Sequence, residues 1–338
     1  MNKNTKSGII VFIILLIVAG GCIGWSVYAK KTEAQKNAFY NNATGNPSGV
    51  SSEDKSSVNK AGREYIAALY VEGTIEEANS SYNQAWLLSV INKLKNDSSN
   101  VAIAMYVNSP GGGVYQADEV YFALKDYQGT GKKLYVYMGP LAASGGYYIS
   151  CPANKIFANR NTLTGSIGVI AGELIDATEL LDTVGIKIEA IHSGRNKLMG
   201  NFYEEITQEQ EDIMQSISDE CYDQFVGIVA SERNMNINKV KELADGRIYT
   251  AAQALKNGLI DSINTWDNMI IELRTAIDIP DCKVITYHYE YKQTLRESIL
   301  GLVSKIQGST AAAKLGLPAK VWDDLEGFNS YPAYLYRQ

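Results

Sequence analysis

Ser144 lies in "GPLAASGGYYIS" (residues 139–150), one hydroxyl within a run of the smallest side chains, followed by two glycines and two tyrosines. Small residues let two backbones approach closely, which makes packing one reason for the pattern; the other is that a substrate must reach the hydroxyl itself. The run predicts a helix beginning near Ala142. At its start the Ser144 hydroxyl would face exposed amides, with the N–H of Gly145 beside it, which suits an attacking oxygen and the anion it generates. A second run, "NSPGGG" (108–113), suits a type II turn centred on Pro110 and Gly111. It lets Gly112 bring its N–H close to a ligand, where such an amide can hold a developing oxyanion. In "TLTGSIGVI" (162–170), Ser166 stands between glycines. Its hydroxyl could orient a neutral amine or equally satisfy its own turn.

A nucleophilic serine needs a base. The chain has two histidines, His192 and His288, and a Ser-His-Asp arrangement would have to use His192, because His288 lies in "ITYHYEY" beyond the main alternation of elements. The other solution is a lysine held neutral by burial, and Lys197 lies in the glycine-containing "IHSGRNKLMG". Residue types and spacing leave both open. Metal and nucleotide chemistry fare worse: there is no H-E-x-x-H, and "PGGG" lacks the Lys-Ser/Thr that completes a phosphate-binding loop. The four cysteines, at 22, 151, 221 and 282, form no C-x-x-C pair, so neither a disulfide framework nor a zinc site is indicated and no cofactor is expected.

These residues need a frame to hold them. From residue 63 onward, apolar runs ending in glycine, "YIAALYVEG" and "VAIAMYVNSPGGG", read as strands buried on both faces. Between them Leu87, Val90, Ile91 and Leu94 share one helical stripe behind a serine able to cap it. The alternation continues with a helix near 115–127, a strand "KKLYVYMG", a strand "KIFAN", a helix near 176–184 and a strand "IKIEAIH". Thr207 and Gln210 suit a capping box for a long helix in which Ile213, Ile217, Cys221 and Phe225 recur every four residues, which places Cys221 in the core. Strands separated by helices imply right-handed crossovers and a mainly parallel sheet, an α/β fold over residues 63–285.

The rest of the 338-residue chain differs in character. Residues 8–29 hold no charge over 22 positions, which as a helix is about 33 Å, enough to cross a bilayer core of about 30 Å. Residues 1–7 then form a short cytoplasmic tail, and 30–62, rich in Asn, Ser, Lys and Gly, a flexible stalk. Ala19, three before Cys22, is not the larger aliphatic usual in a lipoprotein signal, so the span reads as an uncleaved anchor, and the short, purely basic tail before it favours a domain outside the cytoplasm. Net charge is −6, and four lysines without an acid in residues 1–31 leave −10 for the remainder. Such a domain repels phosphates, so nucleic acid is not an expected partner.

"NSPGGG", "MGPLAASGGYYIS", "TLTGSIGV" and "DGRIYTAAQALKNGLIDSI" occur in the order found in the signal peptide peptidase A (protease IV) family of the Clp/crotonase superfamily. The chain resembles a short, single-domain bacterial member over roughly residues 64–276. The resemblance implies a spiral of ββα units and a membrane-anchored serine endopeptidase with a Ser-Lys dyad, acting on extended peptides such as signal peptide remnants. By position it makes Ser144 the nucleophile, Lys197 its base and Ser166 the residue that orients the lysine. The backbone N–H groups of Gly112 and Gly145 become the oxyanion hole. It further implies a homo-oligomeric ring in which the serine of one subunit meets the lysine of its neighbour. Competing readings are a crotonase-type acyl-CoA enzyme and a non-catalytic membrane-anchored scaffold. The C-terminal segment 286–338, ending in "SYPAYLYRQ", has no place in the spiral and could lie extended in the substrate groove, there to be trimmed by the enzyme itself.

Overall fold

The computed structural model describes residues 64–291 and 333–335; the expected membrane span (8–29) and stalk (30–62) lie outside them. Among the described residues no helix is long and apolar enough to cross a membrane. The sheet begins with β1 (Tyr65–Glu72), β2 (Asn100–Ser109) and β4 (Lys133–Ala143), each rich in Val, Ile, Ala and Tyr and mostly buried along its length. Both faces of these strands are covered, so their sequences read as continuous apolar runs rather than alternating ones.

Strand order is β7-β6-β4-β2-β1-β9, with β6 (Leu163–Gly165), β7 (Ile248–Thr250) and β9 (Lys283–Tyr287) completing that path. Two more strands branch off it, β5 (Lys155–Ala158) on β4 and β8 (Ser262–Ile263) on β5. All pairings in this sheet are parallel except β6 with β7. β9 runs through the expected domain boundary at residue 285.

One face of the sheet packs on α1 (Gln84–Asn96) and α2 (Val114–Gln128), with Leu87, Val90, Ile91, Leu94, Val120 and Leu124 buried in the larger core. The expected α1 stripe is buried in full, each side chain contributing about 1.5–3 kcal/mol. Its cap is Asn83, whose side chain accepts the Trp86 N–H, rather than the expected serine. The other face packs on α8 (Trp266–Ala276) through Met269, Ile270 and Leu273.

β4 forks. Its first half, Tyr135–Met138, pairs with β5, while Leu141–Ala143 pairs with β6. On the opposite edge the register with β2 slips: Val107 faces Met138, but Ser109 faces Ala142. Gly139 and Pro140 lie in this bulge. Proline has no N–H for a ladder, and a Cβ at Gly139 would lie 2.5 Å from the Tyr106 hydroxyl. The extra residues on β4 carry its end out toward β6. Consequently the strand extends to Ala143, and the helix expected from Ala142 is a single turn, α3 (Gly145–Tyr148).

One expectation fails between β6 and the long helix α5 (Gln208–Glu232), and another within that helix. The expected helix forms as α4 (Thr178–Thr183), but "IKIEAIH" is irregular and mostly exposed, because among the described residues no neighbouring strand offers it a ladder. Thr207 caps α5 by accepting the Gln210 N–H, without the reciprocal bond of the expected capping box, and only the second half of the helix, with Phe225, Val226 and Val229, is buried. Ile217 is exposed and Cys221 half-buried, so Cys221 is not a core residue.

Candidate active site

The ends of β2, β4 and β6 converge on Ser144. It follows directly on β4, and its own N–H donates to the Gly165 carbonyl at the end of β6, at 2.7 Å. The Ser166 N–H in turn donates to the Arg247 carbonyl at 2.8 Å, tying β6 to the segment leading into β7. Thr164 Oγ1 donates to the Ala142 carbonyl at 2.6 Å, and Thr162 Oγ1 to those of Met138 and Gly139. These hydroxyls bind β6 to the far side of the β4 bulge.

Ser144 has φ +54° and Ser166 φ +50°. The other described non-glycine residues with positive φ are Asn234 and Asp278, types that tolerate this region through short polar side chains. Serine has less reason to enter it, and holding it there costs about 1–3 kcal/mol. The hydrogen bonds of both serine amides hold them in place. Ser144 is buried, and its hydroxyl makes no hydrogen bond among the described residues. It is a nucleophile-grade position: fixed backbone, uncommitted oxygen.

Two amides flank it. Gly145 is the first residue of α3, so its N–H has no helical partner. On the other side runs β3 (Gly111–Gly113). Gly111 has φ +105°, which places it as the second central residue of the expected turn. Its N–H donates to Ser109 Oγ, and the Gly113 N–H donates to the Ile75 carbonyl at 2.8 Å. Successive N–H groups of a strand alternate in direction, so the Gly112 N–H points away from Ile75. The Gly112 amide thus faces the other edge of β3, away from Ile75. Gly112 must be glycine here, because a Cβ would sit 1.8 Å from the Ile75 carbonyl oxygen.

The free edge of β3 is paired antiparallel by β10 (Ala333–Leu335), with Tyr334 opposite Gly112 and Leu335 opposite Gly111. Residues near the C-terminus therefore run as an extended strand along the glycine run.

Beneath α3, Tyr148 donates to Asp118 Oδ1 at 2.6 Å and accepts from Gln224 Nε2 at 2.8 Å. Tyr147 is fully buried and donates to the Leu259 carbonyl at 2.9 Å. Burial pushes the Tyr147 phenol and the Cys151 thiol well up, so both stay neutral.

The chain does not bring every expected residue to this point. Lys197 lies exposed on the arm between β6 and α5; its backbone N–H donates to the Gly194 carbonyl at 3.0 Å, and its side chain makes no hydrogen bond or ion pair among the described residues. The neighbouring Arg195 pairs with Glu209. His192 is exposed on the same arm, and His288 sits at the end of β9, its Nε2 2.8 Å from Glu72. Neither histidine is hydrogen-bonded to Ser144. The residues that sequence reasoning passed over are braces: Ile75, Ser109, Thr162 and Thr164. Ser109 stood within "NSPGGG", but nothing in its spacing distinguished it from a turn residue.

An uncommitted serine oxygen at a strained corner between strand and helix is compatible with a serine hydrolase. The match to known proteins narrows the class. Residues 127–279 fit the model of peptidase family S49. A Synechocystis protein assigned as a protease is 35% identical over 278 residues, covering 81% of this chain and 97% of that one. The Enterococcus faecium protein assigned as signal peptide peptidase SppA is 34% identical over 289 residues, covering 82% and 81%. Protease 4 of Haemophilus influenzae is 29% identical, over 76% of this chain but only 43% of its own length. The chain belongs to peptidase family S49 and is a serine peptidase. A ClpP1 structure from Listeria monocytogenes covers 59% of the chain at 18% identity with a TM-score of 0.38, too low to bear on the site.

Proposed function

We propose that the chain is a membrane-anchored endopeptidase that cleaves extended peptides, the remnants of signal peptides among them, with Ser144 as nucleophile. The observation that carries this reading is the buried, uncommitted Ser144 oxygen at the strained corner between β4 and α3; in this reading the Gly112 and Gly145 amides form the oxyanion hole. Attack on a scissile carbonyl forms a bond from Ser144 Oγ to carbon, and the carbonyl oxygen takes the negative charge facing the two N–H groups. The serine proton passes to a neutral Lys197, which returns it to the leaving amine; water then releases the acyl group with the same lysine as base. Ser166, fixed at its positive φ, orients the lysine.

Lys197 reaches a serine from outside its own chain in this reading. The arm that carries it exposes Leu180, Val184, Ile186, Ile188 and Ile191, the last completely. Beside the arm's root, a cavity of about 510 Å³ opens between Val169–Leu174 and the first turns of α5, lined by Met214 among others. Surfaces this apolar are covered in solution, and a ring of identical subunits covers each with its neighbour while carrying each Lys197 to the next Ser144. A spiral of ββα units suits such packing. The chain's apolar segment 8–29 supplies the anchor, with the peptidase domain outside the cytoplasm.

The C-terminal strand gives the substrate's direction. A peptide entering antiparallel to β3 makes main-chain hydrogen bonds that are indifferent to sequence, while pockets select alternate side chains. β10 occupies that edge, so the tail acts as a tethered competitor for the groove and is trimmed there.

The test is a fluorophosphonate probe on the full chain with the adduct mapped by mass. Labelling is expected at Ser144 in the native protein, with strongly slowed labelling in Lys197→Ala. Labelling at another residue overturns the assignment of the nucleophile.

A further inference from the structure

We infer that Ser109 is a positioning residue for the oxyanion hole, the joint that sets the spacing between its two amides. The inference rests on the reading of Ser144 as nucleophile and of Gly112 and Gly145 as donors, and concerns a side chain outside that set.

Ser109 is the last residue of β2 and is completely buried. Its side chain faces one arm of the hole. Ser109 Oγ accepts the Gly111 N–H at 3.1 Å, closing the turn that delivers Gly112. Its backbone faces the other arm. A Cβ on Gly146 would lie 2.8 Å from the Ser109 carbonyl oxygen and 3.3 Å from Ser109 Cβ, so the first turn of α3 rests directly on this residue. Gly145 and Ser144 are the residues just before that contact.

The register confirms that the contact is local to the site. β2 and β4 keep step through Val107–Met138 and then lose it, so Ser109 lies beyond the last regular rung and faces Ala142 across the bulge. Past the bulge the sheet ladder no longer fixes β3 against β4. The Ser109 hydroxyl and the Ile75 amide and carbonyl take over. Ile75 sets the height of β3 through two backbone bonds at 2.8 Å, whereas Ser109 sets its turn. Without the Ser109 hydroxyl the Gly111 N–H is a buried donor with no partner, and the turn rotates to satisfy it. Gly112 follows that rotation.

The step most sensitive to such a rotation is the one in which negative charge develops. Misplacement of a donor weakens binding of the oxyanion while leaving the strand contacts of the bound peptide in place. Complete loss of one such donor costs about 10²–10³ in kcat, and a displaced donor costs less.

The experiment compares Ser109→Ala, Ser109→Thr and Ser144→Ala in the full chain on a fluorogenic peptide, with thermal melting of each. Ser109→Ala keeps the Cβ contact with Gly146 and deletes only the hydroxyl. It is expected to lower kcat about ten- to a hundredfold with KM within twofold, and to weaken a peptide aldehyde by the same factor as kcat/KM. A purely structural role would not move aldehyde affinity and kcat together at constant KM. Ser109→Thr retains the acceptor and is expected to keep kcat within about fivefold; if Ser109→Ala does not fold, a large kcat loss in a folded Ser109→Thr overturns the proposal and near-normal kcat supports it. A kcat within threefold in folded Ser109→Ala, or equal changes in kcat and in peptide binding, also overturns it. Activity surviving in Ser144→Ala overturns the nucleophile reading instead.

Discussion

Replacing Gly112 by alanine puts a methyl group where the chain has the least room. The added Cβ would meet Ile75 O at 1.8 Å, Ile75 C at 2.5 Å and Ile75 N at 2.7 Å. All three are backbone atoms, so no rotamer change relieves the clash. A carbon and a carbonyl oxygen rest at about 3.3 Å, so β3 and Ile75 must separate by about 1.5 Å. That movement breaks or stretches the Ile75–Gly111 and Gly113–Ile75 hydrogen bonds, now 2.8 Å each. Two such bonds contribute about 2 kcal/mol to stability. The same movement takes the Gly112 N–H beyond hydrogen-bonding reach of an oxyanion, which costs about 10²–10³ in kcat, or about 2.7–4 kcal/mol of transition-state binding. The assay is kcat and KM on a fluorogenic peptide together with thermal melting, and Gly227→Ala serves as a control for an added methyl, since like Gly112 it has no positive φ but nothing lies within 4 Å of a Cβ there. The expectation is a kcat loss of at least about a hundredfold in Gly112→Ala, with the control near native. A folded Gly112→Ala with kcat within threefold of native would refute both the packing reasoning and the role of this amide.

Mixing Ser144→Ala and Lys197→Ala subunits is expected to recover part of the activity that each lacks, as active-site titration of reassembled rings would show; none after confirmed mixed assembly counts against sites shared between subunits. Intact-mass measurement should find a shortened C-terminus in active protein and full length in Ser144→Ala, and full length in both after prolonged incubation rules out self-trimming. Gly227 lies inside α5 with nothing within 4 Å of a Cβ, so Gly227→Ala should stabilise the domain by about 1 kcal/mol and raise Tm by about 2–4 °C, whereas an unchanged or lower Tm would show that this face is packed against another subunit. Burial pushes the thiols of Cys151 and Cys282 up, and raises that of half-buried Cys221 as well. Because the thiolate is the reacting form and access is also required, peptide mapping after limited alkylation should find Cys221 modified before the other two, and early modification of Cys151 would contradict the burial described.

The order of strands and helices was legible because it depends on local pattern. Apolar runs closing on glycine marked β1 and β2, and the Leu87–Leu94 stripe marked α1, since burial on one or both faces imposes a periodicity that a sequence carries openly. Ser144, Ser166 and the glycine strand were legible for a similar reason: serine among glycines and a Pro-Gly pair are local demands of backbone geometry. The exposed half of α5 and the irregular "IKIEAIH" were misread for the opposite reason. Their apolar residues follow the same patterns, but whether such a residue lies inside depends on what packs against it, and among the described residues these are left largely exposed. Cys221 was assigned to the core by that same misreading.

The residues alone could not choose between His192 and Lys197, and the fold brings neither to Ser144 within the chain. What only the tertiary structure decided was which of several eligible groups are committed. Gly111, Gly112 and Gly113 are indistinguishable in sequence, yet the Gly111 and Gly113 amides are taken by Ser109 Oγ and Ile75 O, while that of Gly112 faces the edge along which β10 runs. The distinction comes from Ile75 and Ser109, 34 positions apart, which both bond to the glycine strand. A sequence determines which groups can bond; the three-dimensional fold determines which are already bonded, and the free ones are what a substrate meets.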